Sequence, residues 1–257
     1  VKYWLVLNAT ALDNAIEINK RVPVQFVFTQ IDDEGNVTSY DGVNLPSFDL
    51  DLTAVNGTCS NNKITMENGM GTTYFTLSQM SSASLTGSFN GIDSTINFTF
   101  KKSTPELTID ANDINIGSAA TIVVTVPSDA TGTVKIKVGT VTKTATISNS
   151  KATFSIPNLA AGNYTVEATY NGNSKYEATT AYSNLTVNKL ESTTKISIGT
   201  IALNKDVIVT ITLPSDATGS VDVYVNGQKA TISAGNTYTI KKVQRGDYVV
   251  KAVYNGD

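Results

Sequence analysis

The sequence predicts an all-β chain built from tandem two-sheet sandwiches. Three observations carry this reading. Apolar and polar residues alternate over much of the chain. Tyr164, Val166, Ala168 and Tyr170, for instance, are separated by Thr165, Glu167 and Thr169. A period of two places the first set on one face of a strand and the second on the other. Turn pairs such as Asn90-Gly91, Asn171-Gly172 and Asn255-Gly256 follow these stretches, and both residue types tolerate positive φ. No helical periodicity is found, and many short strands with regular turns argue for packed sheets.

The strands recur in blocks. Pro127-Ser128-Asp129-Ala130-Thr131-Gly132 returns as Pro214-Ser215-Asp216-Ala217-Thr218-Gly219, 87 residues later. Gly162-Asn163-Tyr164-Thr165-Val166-Glu167-Ala168-Thr169-Tyr170-Asn171-Gly172 returns as Gly246 to Gly256, at an offset of 84. The three lost residues are expected in the turns around Gly139-Thr140 and Ser148-Asn149, where a strand scaffold tolerates deletion. A fainter third copy precedes these. Ile16-Glu17-Ile18-Asn19-Lys20 corresponds to Ile114-Asn115-Ile116-Gly117 and to Ile201-Ala202-Leu203-Asn204-Lys205. Three domains are therefore expected: a divergent one over 1–102, a repeat over 103–189 and a repeat over 190–257. The junctions at Lys101 to Pro105 and Val187 to Glu191 are short and polar without Gly-rich runs, which favours a stiff series of domains.

In the first domain strands are expected near Val1–Ala9, Val22–Gln30, Val37–Tyr40, Phe48–Ala54, Lys63–Glu67, Thr72–Leu77, Leu85–Phe89 and Thr95–Lys101. Asp32-Asp33-Glu34-Gly35-Asn36 is the expected hairpin tip between the second and third. Leu159 to Tyr164 and Val243 to Tyr248 have the spacing of a tyrosine corner, in which Tyr164 and Tyr248 send their hydroxyls back to the upstream backbone. That sharpens the sandwich to immunoglobulin-like. The first domain lacks the Tyr, so its corner must close differently.

The second domain has a closing strand within Thr179 to Asn188 after its Asn-Gly turn, whereas the third reaches Asp257 at that turn. The last domain is thus expected to lack its final strand. Either the sequence is a segment of a longer array, which is favoured because it does not begin with Met, or a neighbouring chain donates the strand.

Composition removes several function classes. Charged residues make up 16% of the chain against 40% hydrophobic, so it is globular rather than disordered. Net charge is −3 with Lys and Arg scattered singly, which argues against a nucleic-acid partner. No apolar run reaches the length of a membrane span. There is no histidine, which excludes His-based triads, His-ligated zinc and histidine acid–base catalysis. Cys59 is the sole cysteine; it cannot pair within the chain and reads as a small buried hydrophobe. No cofactor and no catalytic residue are expected.

With these motifs in hand, the chain resembles the group-3 bacterial Ig-like repeats. The wording is closest to copies in the large adhesin-like surface proteins of methanogenic archaea. Pro-Ser-Asp-Ala-Thr-Gly, the Gly-x-Tyr-x-Val-x-Ala-x-Tyr-Asn-Gly stretch and Tyr176 carry the resemblance across 103–257; the first domain is similar only in strand pattern. The resemblance implies a secreted, often glycosylated stalk or adhesin segment at the cell surface or in a filament, with no enzyme activity. Its partners would be neighbouring Ig-like repeats or copies of itself. The alternative is a module binding host or microbial surface glycans through the loops of the first domain.

Candidate sites are weak beside their structural readings. Six Asn-x-Ser/Thr sequons, at Asn8, Asn36, Asn56, Asn97, Asn163 and Asn184, are glycosylation candidates, but six is near the chance count. Asp110, Asn112 and Asp113 offer three oxygen ligands where a hard cation wants six to eight, so a solvated turn is the simpler reading. The acidic tip at 32–36 reads first as a turn. Arg245-Gly246-Asp247 matches an integrin-recognised tripeptide, but the Gly is needed before the corner Tyr. For a Lys–Asn isopeptide crosslink across a core, Lys20 and Lys205 sit just before a core strand and Asn97 lies on a last strand, but no complete triad stands out. Asp49 and Asp51 share a strand face at a spacing open to glycosidase chemistry, though on an exposed face they serve solvation.

Overall fold

The computed structural model describes residues 2–39 and 45–257, all of them in strands, turns and irregular segments. Two compact units are present, Val1–Asn188 and Lys189–Asp257. The first holds two sandwiches with separate cores.

The first sandwich is built from β1 (Tyr3–Thr10), β2 (Ala15–Ile16), β3 (Arg21–Asp32), β4 (Val37–Ser39), β5 (Phe48–Val55), β6 (Gly57–Cys59), β7 (Lys63–Met66), β8 (Met70–Leu77), β9 (Ala83–Phe89) and β10 (Ile92–Phe100). One sheet runs β1-β3-β8-β6 with β4 added to β3; the other runs β2-β10-β9-β5-β7. Alternation sets the faces, so that Val24 and Phe26 from one sheet and Leu50 and Leu85 from the other are fully buried between them. Phe75 and Phe98 stack at 4.6 Å across the core. Two expected strand ends, Val1 and Tyr40, lie outside the described residues. β2 and β6 escaped the sequence pattern because two or three residues cannot display a period.

The second sandwich comprises β11 (Thr108–Ala111), β12 (Ile114–Asn115), β13 (Ala120–Thr125), β14 (Thr133–Val138), β15 (Val141–Thr146), β16 (Lys151–Ile156), β17 (Gly162–Tyr170) and β18 (Thr179–Asn188). Its sheets run β11-β13-β16 and β12-β18-β17-β14-β15. The arrangement matches the first sandwich down to one detail. A short early strand pairs in parallel with the last strand, β2 with β10 and β12 with β18.

Lys189–Asp257 carries β19 (Lys195–Ile198), β20 (Val207–Thr212), β21 (Ser220–Val225), β22 (Gln228–Ser233), β23 (Thr237–Ile240) and β24 (Val250–Tyr254), in sheets β19-β20-β23 and β22-β21-β24. Ladder registers place the deletion in one of the two expected turns, the one around Ser148-Asn149, and not at Gly139-Thr140. Val138 pairs with Val141 as Val225 pairs with Gln228, so the turn at Gly139-Thr140 keeps its length in Asn226-Gly227. Ala120 pairs with Ile156, and its counterpart Val207 with Ile240. The offset has therefore fallen to 84 already at β23, and all three residues are lost between β22 and β23.

The strand expected from Tyr248 starts only at Val250. The reason lies in the second sandwich. There β14 pairs with β17 only over Val166–Tyr170, whereas Gly162–Thr165 are paired by β18 alone. Among the described residues of Lys189–Asp257 no strand stands in the place of β18, so Gly246–Val249 have no ladder to join.

Candidate interaction surfaces

Most polar residues singled out by sequence are absorbed by the fold. Asp32 Oδ1 accepts the N–H groups of Glu34 (3.0 Å) and Asn36 (2.8 Å), and Oδ2 accepts Asn36 Nδ2 (2.9 Å). The Asn36 side chain foremost, then its backbone, hold the Asp32 carboxyl below its usual range. The acidic tip is thus a self-bonded turn. Asp113 Oδ1 accepts the Thr186 N–H at 2.7 Å and fixes β18, while Asn112 Nδ2 reaches Asp110 Oδ1 only at 3.4 Å. Among the described residues no group of three or more Cys, Asp or Glu side chains is arranged to hold a metal ion. Asp49 accepts Thr65 Oγ1 at 3.1 Å and Asp51 pairs with Lys63 at 2.9 Å, each directly across a ladder. Lys20, Lys205 and Asn97 are all exposed, with Lys20 Nζ 3.7 Å from Glu17, so none of them lies in a core as a crosslink would need. Cys59 packs against the first core, and burial pushes its thiol up.

The sequons separate into two groups. Asn8 Nδ2 donates to Thr29 Oγ1 at 2.8 Å, Asn36 Nδ2 to Asp32, and Asn56 Nδ2 to the Ser82 carbonyl at 2.9 Å. Their amide nitrogens, the atoms a glycan would join, are engaged. Asn97, Asn163 and Asn184 stand exposed on outer strand faces. Asn163 and Asn184 belong to neighbouring strands of one ladder.

The corners differ among the three sandwiches. Tyr164 Oη donates to the Ala160 carbonyl at 2.8 Å. In the third sandwich the direction reverses, and Tyr248 Oη accepts the Gln244 N–H at 3.1 Å. The preceding glycines, Gly162 and Gly246, have φ of 151° and 147°, which explains the central residue of Arg245-Gly246-Asp247 without a ligand. The first sandwich closes the same corner through Asn56. Its carbonyl accepts the Ser78 N–H at 3.1 Å while its side chain holds Ser82.

Three surfaces remain, of which sequence reasoning missed the first two and expected the third. The first is the junction between the first two sandwiches, which is bonded on both sides of Ser103. Ser103 Oγ donates to Glu17 Oε2 at 2.8 Å. Its N–H donates to the Lys175 carbonyl at 3.0 Å and its carbonyl accepts the Glu177 N–H at 2.9 Å, while Pro105 nearby is buried. The Lys175–Glu177 loop is itself anchored on Asp129, which accepts Lys175 Nζ and, at 2.7 Å, Tyr176 Oη. Lys175 first, then Tyr176, hold the Asp129 carboxyl below its usual range. No local spacing announces this, because Glu17, Ser103, Asp129 and Lys175 are far apart in sequence.

The second surface is a row on the outer face of the first sandwich. Trp4 pairs with Ile31, which pairs with Val37. Trp4 is 51% exposed and Val37 is 65% exposed, and Val6 lies alongside on the same face of β1.

The third is an open edge in Lys189–Asp257. Ile201 and Leu203 are 68% and 62% exposed, whereas their counterpart in the first sandwich, Ile16, is 3% exposed. Between them and Tyr248 lies a groove of ≈ 480 Å³. Asn226, standing where the second sandwich has Gly139, clamps the unladdered segment. Its Oδ1 accepts the Val249 N–H at 2.8 Å and its Nδ2 reaches the Asp247 carbonyl at 3.3 Å.

Among the described residues no helix is long and apolar enough to cross a membrane. No curated protein matches the chain. Among solved structures the chain is similar to the fibronectin(III)-like modules of CbhA from Clostridium thermocellum, at 21% identity over 59% of this chain and 86% of that one, with a TM-score of 0.29. It is similar to the Yersinia pseudotuberculosis adhesin InvE at 19% identity over 72% of this chain and 58% of that one, with a TM-score of 0.29. For the Escherichia coli adhesin FdeC the values are 12% identity, 98% and 93% coverage, and a TM-score of 0.31. Residues 107–188, the second sandwich, match the family model described as bacterial Ig-like domain (group 3). The second sandwich thus carries the signature of the group-3 bacterial Ig-like domain.

Proposed function

We propose that the chain is a non-catalytic structural segment of an extracellular, cell-surface adhesin-like protein, of the kind that group-3 repeats form in methanogenic archaea. Its work is to hold neighbouring modules at a fixed spacing. The observation that carries the reading is the Ser103 junction, where one residue bonds to Glu17 on one side and to the Lys175–Glu177 loop on the other. A flexible linker has no such bonds. The family match over 107–188 supports it, as does the use of candidate acidic residues in turns and ladders. Asn97, Asn163 and Asn184 are the sequons best placed to carry glycans.

Nuclear-spin relaxation on the intact chain tests this. The two sandwiches of residues 2–188 are expected to share one rotational correlation time. Combining Ser103→Pro with Glu17→Ala is expected to separate them. Independent tumbling in the unaltered chain refutes the reading.

One observation favours a second reading, binding of surface glycans by the first sandwich. The Trp4–Ile31–Val37 row offers an exposed aromatic flanked by apolar side chains, suited to the C–H face of a sugar ring. This moves the expected site from the loops to a sheet face. Saturable binding on a glycan panel that Trp4→Ala abolishes would establish it, and a blank panel removes it.

A further inference from the structure

The second and third sandwiches set the same hairpin turn beside the same strand and complete it differently. Gly139-Thr140 stands where the third has Asn226-Gly227, and Asn163, Thr165 and Glu167 stand where it has Asp247, Val249 and Lys251. In the third, the Asn226 carboxamide spans turn and strand. Its Oδ1 accepts the Val249 N–H at 2.8 Å and its Nδ2 donates to the Asp247 carbonyl at 3.3 Å. The nearby Lys251 Nζ lies 5.6 Å from the Tyr224 ring.

In the second sandwich the same backbone groups are open. The Thr186 N–H donates to Asp113 Oδ1, away from β17. Thr186 and Asn163 are therefore a pair without ladder bonds, as are Asn184 and Thr165 two positions on. The backbone groups of Asn163 and Thr165 thus point towards β14, which stops pairing at Val166. Glycine at 139 has no side chain to meet them. Lys137 and Glu167 stand directly opposite each other on the outer face, yet form no ion pair among the described residues. All of these, with the Tyr164 ring, line one shallow cleft of ≈ 310 Å³.

We propose that this cleft binds a free amino acid with a carboxamide side chain, of the glutamine class. The ligand's amide oxygen accepts the Thr165 N–H and its amide nitrogen donates to the Asn163 carbonyl, as the Asn226 amide does with the equivalent groups. Its α-carboxylate meets Lys137 and its α-ammonium meets Glu167. Those two lie two residues further along the strands, about 7 Å, a distance that the glutamine side chain and the reach of Lys and Glu cover together. A carboxylate in place of the amide fits poorly, because it has no hydrogen for the Asn163 carbonyl. A secondary amide, such as that of an N-acetyl sugar, cannot span both groups, because its trans N–H and C=O point in opposite directions. The inference stands on the cleft and does not depend on the stalk reading.

The test is a nuclear magnetic resonance titration of the intact 257-residue chain with L-glutamine. The chain is made without glycans, because Asn163 lines the cleft. Saturable shifts centred on the Thr165 and Gly139 amides are expected, with about millimolar affinity, the scale for a ligand of some ten heavy atoms. L-Glutamate is expected to bind at least about tenfold more weakly, and so is N-acetyl-L-glutamine methylamide, which keeps the carboxamide and loses both charges. Gly139→Asn gives the second sandwich the residue that the third already carries there. Gly139 has φ of 58° and Asn226 of 47°, so the backbone suits Asn, and the Tyr164 ring, 3.2 Å from the added Cβ, has only to shift slightly. That variant is expected to fill the cleft with its own amide and abolish binding. Glu167→Gln, on the outer face, is expected to weaken binding about fivefold. Absence of saturable shifts, shifts centred elsewhere, or binding that survives Gly139→Asn overturns the proposal. So does unchanged affinity in Glu167→Gln or equal binding of glutamate. Equal binding of the capped glutamine also overturns it, for the ligand would then be an amide carried on a peptide. None of these failures bears on whether residues 2–188 tumble as one body.

Discussion

The second and third sandwiches share two long motifs, but among the described residues the third has no counterpart of β12 or β18. With β18 in place, Val166, Ala168 and Tyr170 are fully buried; their counterparts Val250, Ala252 and Tyr254 are only half-buried. The connected buried cluster of the third sandwich shrinks to Val209, Ile211, Val221 and Val223, with Val207 and Val243 buried apart from it. Yet much of the local chemistry survives. Tyr170 Oη donates to the Thr131 carbonyl at 2.9 Å, and Tyr254 Oη donates to the Thr218 carbonyl at 2.6 Å. The difference teaches that side-chain anchors are written into each repeat, whereas the first half of its penultimate strand depends on a partner from outside that stretch.

Four changes probe this comparison. Leu185→Ala should have the largest effect, destabilising the second sandwich by about 2–4 kcal/mol through a lost side chain and the cavity left behind. Urea unfolding measures the loss. Amide exchange at Gly162–Thr165 should rise toward that of Gly246–Val249, and unchanged protection there would break the comparison. Tyr164→Phe should cost about 1 kcal/mol, the net worth of one hydrogen bond. Tyr248→Phe should cost less, because its longer bond sits at an edge that is already open; equal costs would mean that the corner works independently of β18. Thr73→Val, in the first sandwich, should go the other way. Thr73 Oγ1 is buried with no hydrogen-bond partner among the described residues, so an isosteric apolar replacement should stabilise by about 1 kcal/mol. A destabilised variant would reveal a partner for the hydroxyl.

The smallest effect is in pH. Asp129 is held below its ordinary range by Lys175 and then Tyr176. A carboxyl whose folded pKa is depressed contributes stability that is fully present above its unfolded value, about 4. That contribution is lost as pH falls through the lower folded value. Asp129→Asn should therefore flatten the acid limb of the second sandwich's stability below about pH 4. An unchanged limb means that the Lys175 loop holds without the charge.

The sequence made the long strands readable, because a period of two needs only five or six residues to declare itself. The tip at 32–36 and the corner tyrosines were readable for a similar reason, since their partners lie within five residues. What escaped it was non-local. β2 and β12 exist because β10 and β18 lie beside them. The start expected at Tyr248 failed because strand propensity does not supply a ladder. The junction at Ser103 joins residues separated by more than seventy positions, and the Trp4 row needs three strands in register before it becomes a surface. Asn56, singled out as a sequon, serves as a corner brace because its partner Ser82 lies 26 residues away.

The parallel pairs β2–β10 and β12–β18 also have a mechanical meaning. Each joins the entering and the leaving portion of one sandwich, through bonds such as Lys101 N to Ile16 O and Ile116 N to Asn188 O, both at 2.8 Å. Tension along the chain draws the two members of such a pair in opposite directions along a common axis. Every bond between them is then loaded in shear at once, instead of being unzipped in succession like a hairpin. Ile201–Leu203 takes part in no such pair among the described residues. Under a steadily rising pull, the first two sandwiches therefore resist as shear clamps that give way all at once.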